Sequence, residues 1–333
     1  MDNRSFTLAE TGVSFPGGLS ADVLMSTVRQ AEADGFRSCW ISEDYFNGGA
    51  MATAGALAAV TNRIELGVGV VNPYTRTPVL TAMEAAAVDA IAQGRFMLAM
   101  GSSNRRWIEE KMCIPFQKAI THVAESVEMI RTLIGTGHLD FEGQCLRAHN
   151  VELDFTPFRR DMPVYMGVRG ERALGLAGEH ADGVLLSIMS AAPYVAWARE
   201  QVDKGAARAG RTERVQLASY IPLFVGDREE GRRAFANTLS FYLGRSAEQP
   251  FVQQSGALPQ EIAPIAAKIA AGEDASDLIT WELADRFAVI GSPEHCRERL
   301  AEYRAAGLDQ PILCACDGVS ALDMMSFAKE ILN

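Results

Sequence analysis

Ile64-Glu65-Leu66-Gly67-Val68-Gly69-Val70-Val71, then Asn72-Pro73-Tyr74-Thr75-Arg76-Thr77-Pro78, then an alanine-rich stretch through Ala90, is the segment on which the architecture turns. The apolar run reads as a buried strand, the proline-bearing polar piece as a loop, and the last stretch as a helix. Together they make one βα unit. The same unit recurs on either side. Upstream, Ser38 to Ile41 is a strand that breaks at Ser42-Glu43-Asp44-Tyr45 before a helix reaching about Val60. Before it, Thr11 to Phe15 ends in Pro16-Gly17-Gly18, and Ser20 caps a helix with apolar positions Val23, Leu24, Val28 and Ala31.

Downstream, Gly94-Arg95 introduces the strand Phe96 to Met100, which ends at Gly101-Ser102-Ser103-Asn104 and leads into helical segments up to Leu133. Residues 135–160 follow neither period for long and read as an excursion. Val164 to Gly167 with the helix Arg172 to His180, and Gly183 to Leu186 with the helix Pro193 to Ala209, resume the rhythm. Val215 to Val225 is a seventh strand, followed by a helix capped by Asp227. An insertion over 244–281 holds an amphipathic helix near Pro259 to Ala271 and no obvious strand. Gly291-Ser292-Pro293 opens a helix to Ala306, and Pro311 to Cys316 is the eighth strand, with a terminal helix from Ser320. Eight strands each followed by helix, with no Pro/Ser-rich linker, predict a single (β/α)8 barrel domain over 1–333 rather than two doubly wound domains.

Composition narrows the function classes. The 333 residues are 48% hydrophobic and 22% charged, as in an ordinary globular protein, so disorder and fibrous repetition are poor readings. The net charge of -11 repels a polyanion, and the basic pairs Arg105-Arg106 and Arg159-Arg160 stand alone, which argues against nucleic acid. Met1 to Phe15 lacks an apolar h-region and no stretch reads as a membrane span, so neither secretion nor insertion is predicted. Six dispersed cysteines fit a reducing cytoplasm, and the grouping of Cys314, Cys316, His295 and Cys296 matches no common zinc spacing; no metal site is predicted.

In a barrel of this kind chemistry sits at the C-terminal ends of the strands. The second strand ends in Glu43, Asp44 and Tyr45, where a carboxylate could bind a heterocycle, act as acid or base, or merely cap the next helix. In Gly67-Val68-Gly69-Val70 the glycines permit a bulge or a close approach to a ligand. Gly167-Val168-Arg169-Gly170-Glu171-Arg172 opens a helix whose amides suit a phosphate or carboxylate, although the dinucleotide fingerprint is missing. Serine-hydrolase elbow, P-loop and histidine-metal spacings are missing too.

Four stretches carry a family resemblance: Leu66 to Pro78; Gly94-Arg95-Phe96; Pro163 to Gly167 with Leu176 to Gly183; and Phe287 to Pro293. On them the chain resembles the bacterial luciferase-like superfamily, and within it methylenetetrahydromethanopterin reductases and their bacterial relatives. The resemblance implies a TIM barrel, usually a homodimer, that binds F420 or FMN at its mouth, with a non-prolyl cis peptide at Gly69-Val70. It implies that Val68, Gly69, Val70 and Asn72 back the cofactor ring. Gly167, Val168, Arg169, Gly170 and Arg172 would hold the phosphate-bearing side chain, and Ser102 and Asn104 would complete a polar wall. Glu43, Asp44 and Tyr45 fall where relatives place catalytic or ring-contacting groups. Relatives commonly carry Asp-His or Glu-His-His there, whereas this chain has no histidine, so the usual acid or base is missing; Asp44 could take over if burial raised its pKa, or Tyr45 or Glu43 could donate instead. The expected function is hydride transfer between F420 or FMN and a small organic substrate. The alternatives are a two-component monooxygenase fed with reduced FMN by a separate flavin reductase, and a flavin-binding protein without catalysis.

Overall fold

In the computed structural model, residues 5–15 and 18–333 are described, so the expected turn at Pro16-Gly17 lies outside the described residues. The strands are β1 (Gly12–Ser14), β2 (Ser38–Ile41), β3 (Glu65–Val71), β4 (Phe96–Gly101), β5 (His138–Glu142), β6 (Arg147–Glu152), β7 (Val164–Gly167), β8 (Gly183–Leu186), β9 (Gln216–Val225), β10 (Val289–Gly291) and β11 (Gln310–Ala315). Among the described residues, eight of them close in the order β9-β11-β1-β2-β3-β4-β7-β8 and back to β9, every pairing parallel. Helices lie between successive strands, as the βα rhythm requires, and the expected (β/α)8 barrel is the fold.

Side chains alternate in and out along each strand, so the interior is a list of every second residue. It consists of Trp40, Met97, Ala99, Tyr165, Leu185, Ala218 and Ile312, with Val70 and Tyr220 packed against them. Trp40 meets Tyr165 edge to face, with ring centroids 5.6 Å apart. The indole needs the room left by Gly67, where an added Cβ would stand 2.3 Å from it. Outward-facing residues such as Leu66, Val68, Leu98, Val164 and Val184 pack under the helices in a second, larger apolar layer.

At the strand-entry face, carboxylates of one unit accept amide N–H groups of another. Glu32 accepts from Asn62, Arg63 and Ile64 at 2.7, 2.6 and 3.1 Å, and Asp89 accepts from Phe96 at 3.1 Å. Asp182 accepts from Val164 at 2.9 Å and Asp309 from Leu217 at 2.8 Å. These bonds satisfy backbone donors where strands begin, leaving the opposite face free for chemistry.

Two features differ from the sequence reading. The stretch over 135–160 is not irregular: β5 and β6 form an antiparallel hairpin. Its strands are short and largely exposed, with a register irregularity between Leu139 and Phe141, so the two-residue period is broken almost as soon as it starts. The hairpin turn is anchored by the buried carboxylate of Glu125, which accepts from Gln144, Cys145 and Leu146 at 2.6, 3.0 and 2.9 Å. The second difference is β10, three residues that extend the sheet beside Leu223 to Val225, too short for any periodic signal. The insertion contains helices Pro250–Gln253 and Pro259–Ala270, and the helix Trp281–Phe287 begins at its last residue. Among the described residues no helix is long and apolar enough to cross a membrane, and no cluster of His, Cys, Asp and Glu could hold a metal ion.

Candidate active site

One step beyond the buried interior, at the C-terminal ends of the strands, the inward positions become Ser42, Val70, Gly167, Ser187, Tyr220 and Cys314, each partly accessible. This ring is the floor of a mouth, and the loops after β2, β3, β4 and β7 are its walls. Val70 reaches the floor through a bulge: Gly69 pairs with Ala99 and Val71 with Met100, leaving Val70 as the extra residue. Its side chain fills space that only glycine leaves free on two neighbouring strands. A Cβ on Gly167 would lie 2.3 Å from one Val70 methyl, and a Cβ on Gly101 would lie 2.6 Å from the other. The Gly69-Val70 peptide is cis, as the resemblance implied, and so is Tyr45-Phe46, which the sequence did not announce.

The three residues at the end of β2 have different roles. Glu43 is buried, and both its oxygens are engaged: one accepts the Ala50 amide at 2.8 Å, at the start of the helix Ala50–Val60, and the other pairs with Arg76. Arg76 in turn lies 3.3 Å from Glu84. Glu43 therefore caps a helix and ties the β2 loop to the β3 loop. Asp44 is solvent-exposed on the rim. Partial desolvation by the surrounding protein, reinforced by the charge of Glu43, pushes its carboxyl above its ordinary value. Its charge is felt by two further phenols, Tyr220 and Tyr242, which burial already pushes above the ordinary tyrosine value. Tyr45 gives its hydroxyl to neighbours, accepting from the Asn72 amide and meeting the Thr75 hydroxyl at 2.9 Å.

Asn72 is fully buried, and its carbonyl accepts the amides of Tyr74 and Thr75 at 3.0 Å each, an Asx turn that shapes the β3 loop. Val68, by contrast, points away from the mouth into the layer under the helices. Ser102 donates to the Ser103 carbonyl at 3.2 Å, and the Asn104 side chain caps the π-helical turn Arg106–Lys111 through the Trp107 amide at 3.0 Å. Across the mouth, Gly170 caps the helix Glu171–His180. Arg169 packs its guanidinium 5.4 Å from the Phe251 ring, so the insertion contributes to this wall, and its carbonyl accepts from Tyr194 at 2.8 Å. Val168 is partly buried, while Arg172 is exposed and makes no ion pair among the described residues.

Among the described residues, the buried Ser103 Oγ and Ser187 Oγ lack a hydrogen-bond partner, and the buried Tyr220 hydroxyl has only Ser42 beside it. Such atoms are costly unless something satisfies them. Tyr220, Tyr242 and Ser187 were missed in the sequence. Tyr220 had a usable signal, since it shares the inward parity of Ala218; Tyr242 sits on the helix Arg228–Ser246 and had none. Two surface clefts lie elsewhere, one by Arg131, Asp161 and Asp182 at the strand-entry face, the other by Arg172, Lys204 and Arg208 between outer helices. Neither touches the floor.

Comparison with known proteins gives the family to which this fold belongs. A 5,10-methylenetetrahydromethanopterin reductase of Methanolobus tindarius is 29% identical over 284 residues, covering 84% of this chain and 86% of the relative. One from Archaeoglobus fulgidus is 28% identical over 310 residues, covering 90% and 92%. Among solved structures, the coenzyme F420-dependent tetrahydromethanopterin reductase of Methanopyrus kandleri superposes with a TM-score of 0.86 at 24% identity, covering 99% and 98% of the two chains. A type II Baeyer-Villiger monooxygenase of Pseudomonas putida in complex with FMN superposes at 0.73 with 19% identity, covering 97% and 96%. The model of the luciferase-like monooxygenase family matches residues 1–310, and the chain belongs to that family.

Proposed function

We propose that this protein is an F420-dependent oxidoreductase that transfers a hydride between the deazaflavin and a small organic substrate. The observation that carries the reading is the floor of the mouth: Val70, bulged between Gly101 and Gly167, presents an apolar support at the strand ends, with the partly accessible polar residues Ser42, Ser187 and Tyr220 among the other inward positions. A planar heterocycle with polar edges suits that set. Relatives named for coenzyme F420, one of them from Mycobacterium tuberculosis, and the F420-dependent reductase structure favour the deazaflavin over FMN.

Bound there, the deazaflavin supplies the hydride chemistry, and the protein supplies placement, charge and proton handling. Val70 supports the ring, helped by the backbone of Gly69 and the loop that Asn72 shapes. The helix start at Gly170, with Arg169 beside it, receives the phosphate-bearing side chain. Proton handling falls to Asp44, at the position where the resemblance expects a histidine, its carboxyl raised above its ordinary value by desolvation and by the charge of Glu43. Glu43, already spent on Ala50 and Arg76, acts by holding the loop. The working unit is a homodimer, which size-exclusion chromatography with light scattering tests.

The FMN-bound monooxygenase neighbour supports a second reading, a monooxygenase that receives reduced FMN from a separate reductase. Anaerobic turnover of reduced F420 with a panel of carbonyl and iminium acceptors separates the two. Hydride transfer without oxygen supports the proposal; turnover only with reduced FMN and oxygen, with oxygen incorporated into product, replaces it with the second reading.

A further inference from the structure

We propose that Tyr45 is a positioning residue that locks the loops following β2, β3 and β4 into one wall of the mouth and thereby sets the place of Phe46 on the rim. The proposal rests on the oxidoreductase reading only for what the wall faces, because the lock itself is a property of the protein without ligand.

The Tyr45 hydroxyl closes a ring. The Asn72 side-chain amide donates to the Tyr45 oxygen, and the Thr75 hydroxyl donates to the Asn72 carbonyl at 3.3 Å. With the Thr75 proton committed there, the 2.9 Å contact between Tyr45 and Thr75 has the phenol as donor. Within the ring each of the three side chains gives one hydrogen bond and takes one, so losing any member costs each of the other two one of its ring bonds. The same Asn72 carbonyl holds the amides of Tyr74 and Thr75, which extends the ring into the backbone of the β3 loop.

The other side of Tyr45 reaches the β4 loop. Its ring meets Trp107 edge to face at 5.8 Å, inside the π-helical turn Arg106–Lys111. From the end of that turn the Lys111 ammonium returns to lie 5.3 Å from the ring of Phe46, the residue next to Tyr45. The path from Asn72 through Tyr45 and Trp107 to Lys111 and back to Phe46 is therefore continuous. Phe46 is 63% exposed, an aromatic surface held from behind at the entrance to the floor. A hydroxyl with both its donor and acceptor roles taken is not available to a reacting atom, so Tyr45 acts through the loops it joins.

Hydrogen exchange of the apoprotein read by mass spectrometry tests this, alongside steady-state kinetics with whichever acceptor turns over. Tyr45→Phe, which keeps the aromatic ring, should speed exchange at the Tyr74 and Thr75 amides by roughly tenfold and also speed exchange across 106–111. Thr75→Val should reproduce the effect, Thr75→Ser should restore wild-type exchange, and Tyr45→Phe combined with Thr75→Val should add little. In turnover, KM should rise roughly tenfold with kcat within about twofold. Exchange that speeds only at 74–75, or single effects that add independently, overturns the lock whatever the cofactor. A kcat that falls as far as kcat/KM overturns the positioning role. Coupled exchange in a protein that binds neither F420 nor FMN upholds the lock and removes the oxidoreductase reading instead.

Discussion

Asp44 and Glu43 stand side by side in the chain and do opposite things, because one faces the mouth and the other is buried against Arg76 and Ala50. Asp44→Asn should lower kcat by about a hundredfold or more, the usual scale for a lost general acid or base, while the deazaflavin dissociation constant moves by less than about threefold. Stability provides a second test. The Asp44 carboxyl is raised in the folded state, so its ionisation works against folding; the relative stability it confers is present below its ordinary value of 3.8 and is lost as pH rises through the folded one. Asp44→Asn should therefore melt higher than wild type at pH 7, with the advantage shrinking towards acid. Glu43→Gln should instead destabilise the fold by about 2 kcal/mol in chemical denaturation, since a charge-assisted bond to Arg76 is lost. Gly167→Ala should cost about 1 to 3 kcal/mol and weaken cofactor binding, and Val70→Ala in the same chain should recover part of both, because the added Cβ and the Val70 methyl compete for one space.

At the scale of elements, most of the chain was legible. The strands Ser38–Ile41, Val164–Gly167 and Gly183–Leu186 fall where apolar runs between turn residues put them, and Ser20, Asp227 and Ser292 occupy the expected cap positions. The β5–β6 hairpin was not legible, since its register comes from a carboxylate on another element, Glu125, and not from its own pattern. Glu125→Gln should accordingly speed amide exchange at 143–146 while leaving the barrel strands protected. Glu32 works in a similar way. Burial tends to raise its pKa, but amide donors from Arg63, Ile64 and Asn62 outweigh that and hold it below its ordinary value. The stability it contributes is present above its ordinary value of 4.5 and is lost as pH falls through the lower folded value. Glu32→Gln should therefore be less stable than wild type at pH 7, with the gap narrowing in acid unfolding curves.

For the whole molecule, the alternation of strand and helix specifies which residues reach the mouth but not which of them meet. The room for Val70 comes from Gly101 and Gly167, glycines on two other strands whose agreement is visible only once the barrel is closed. Tyr220 and Tyr242 come to Asp44 from nearly two hundred residues away, a juxtaposition set by closure of β9 against β8 and β11. The position of the site followed from the fold, while the division of labour within it depended on hydrogen-bond partners that no spacing encodes. We propose that this mouth is built for a deazaflavin. The most direct test is parallel titration of purified apoprotein with F420 and FMN, each oxidised and reduced, followed by calorimetry. Micromolar or tighter binding of F420 and weaker binding of FMN are expected, with affinity reduced in Gly167→Ala; tight binding of FMN over F420, or of neither, overturns the deazaflavin reading.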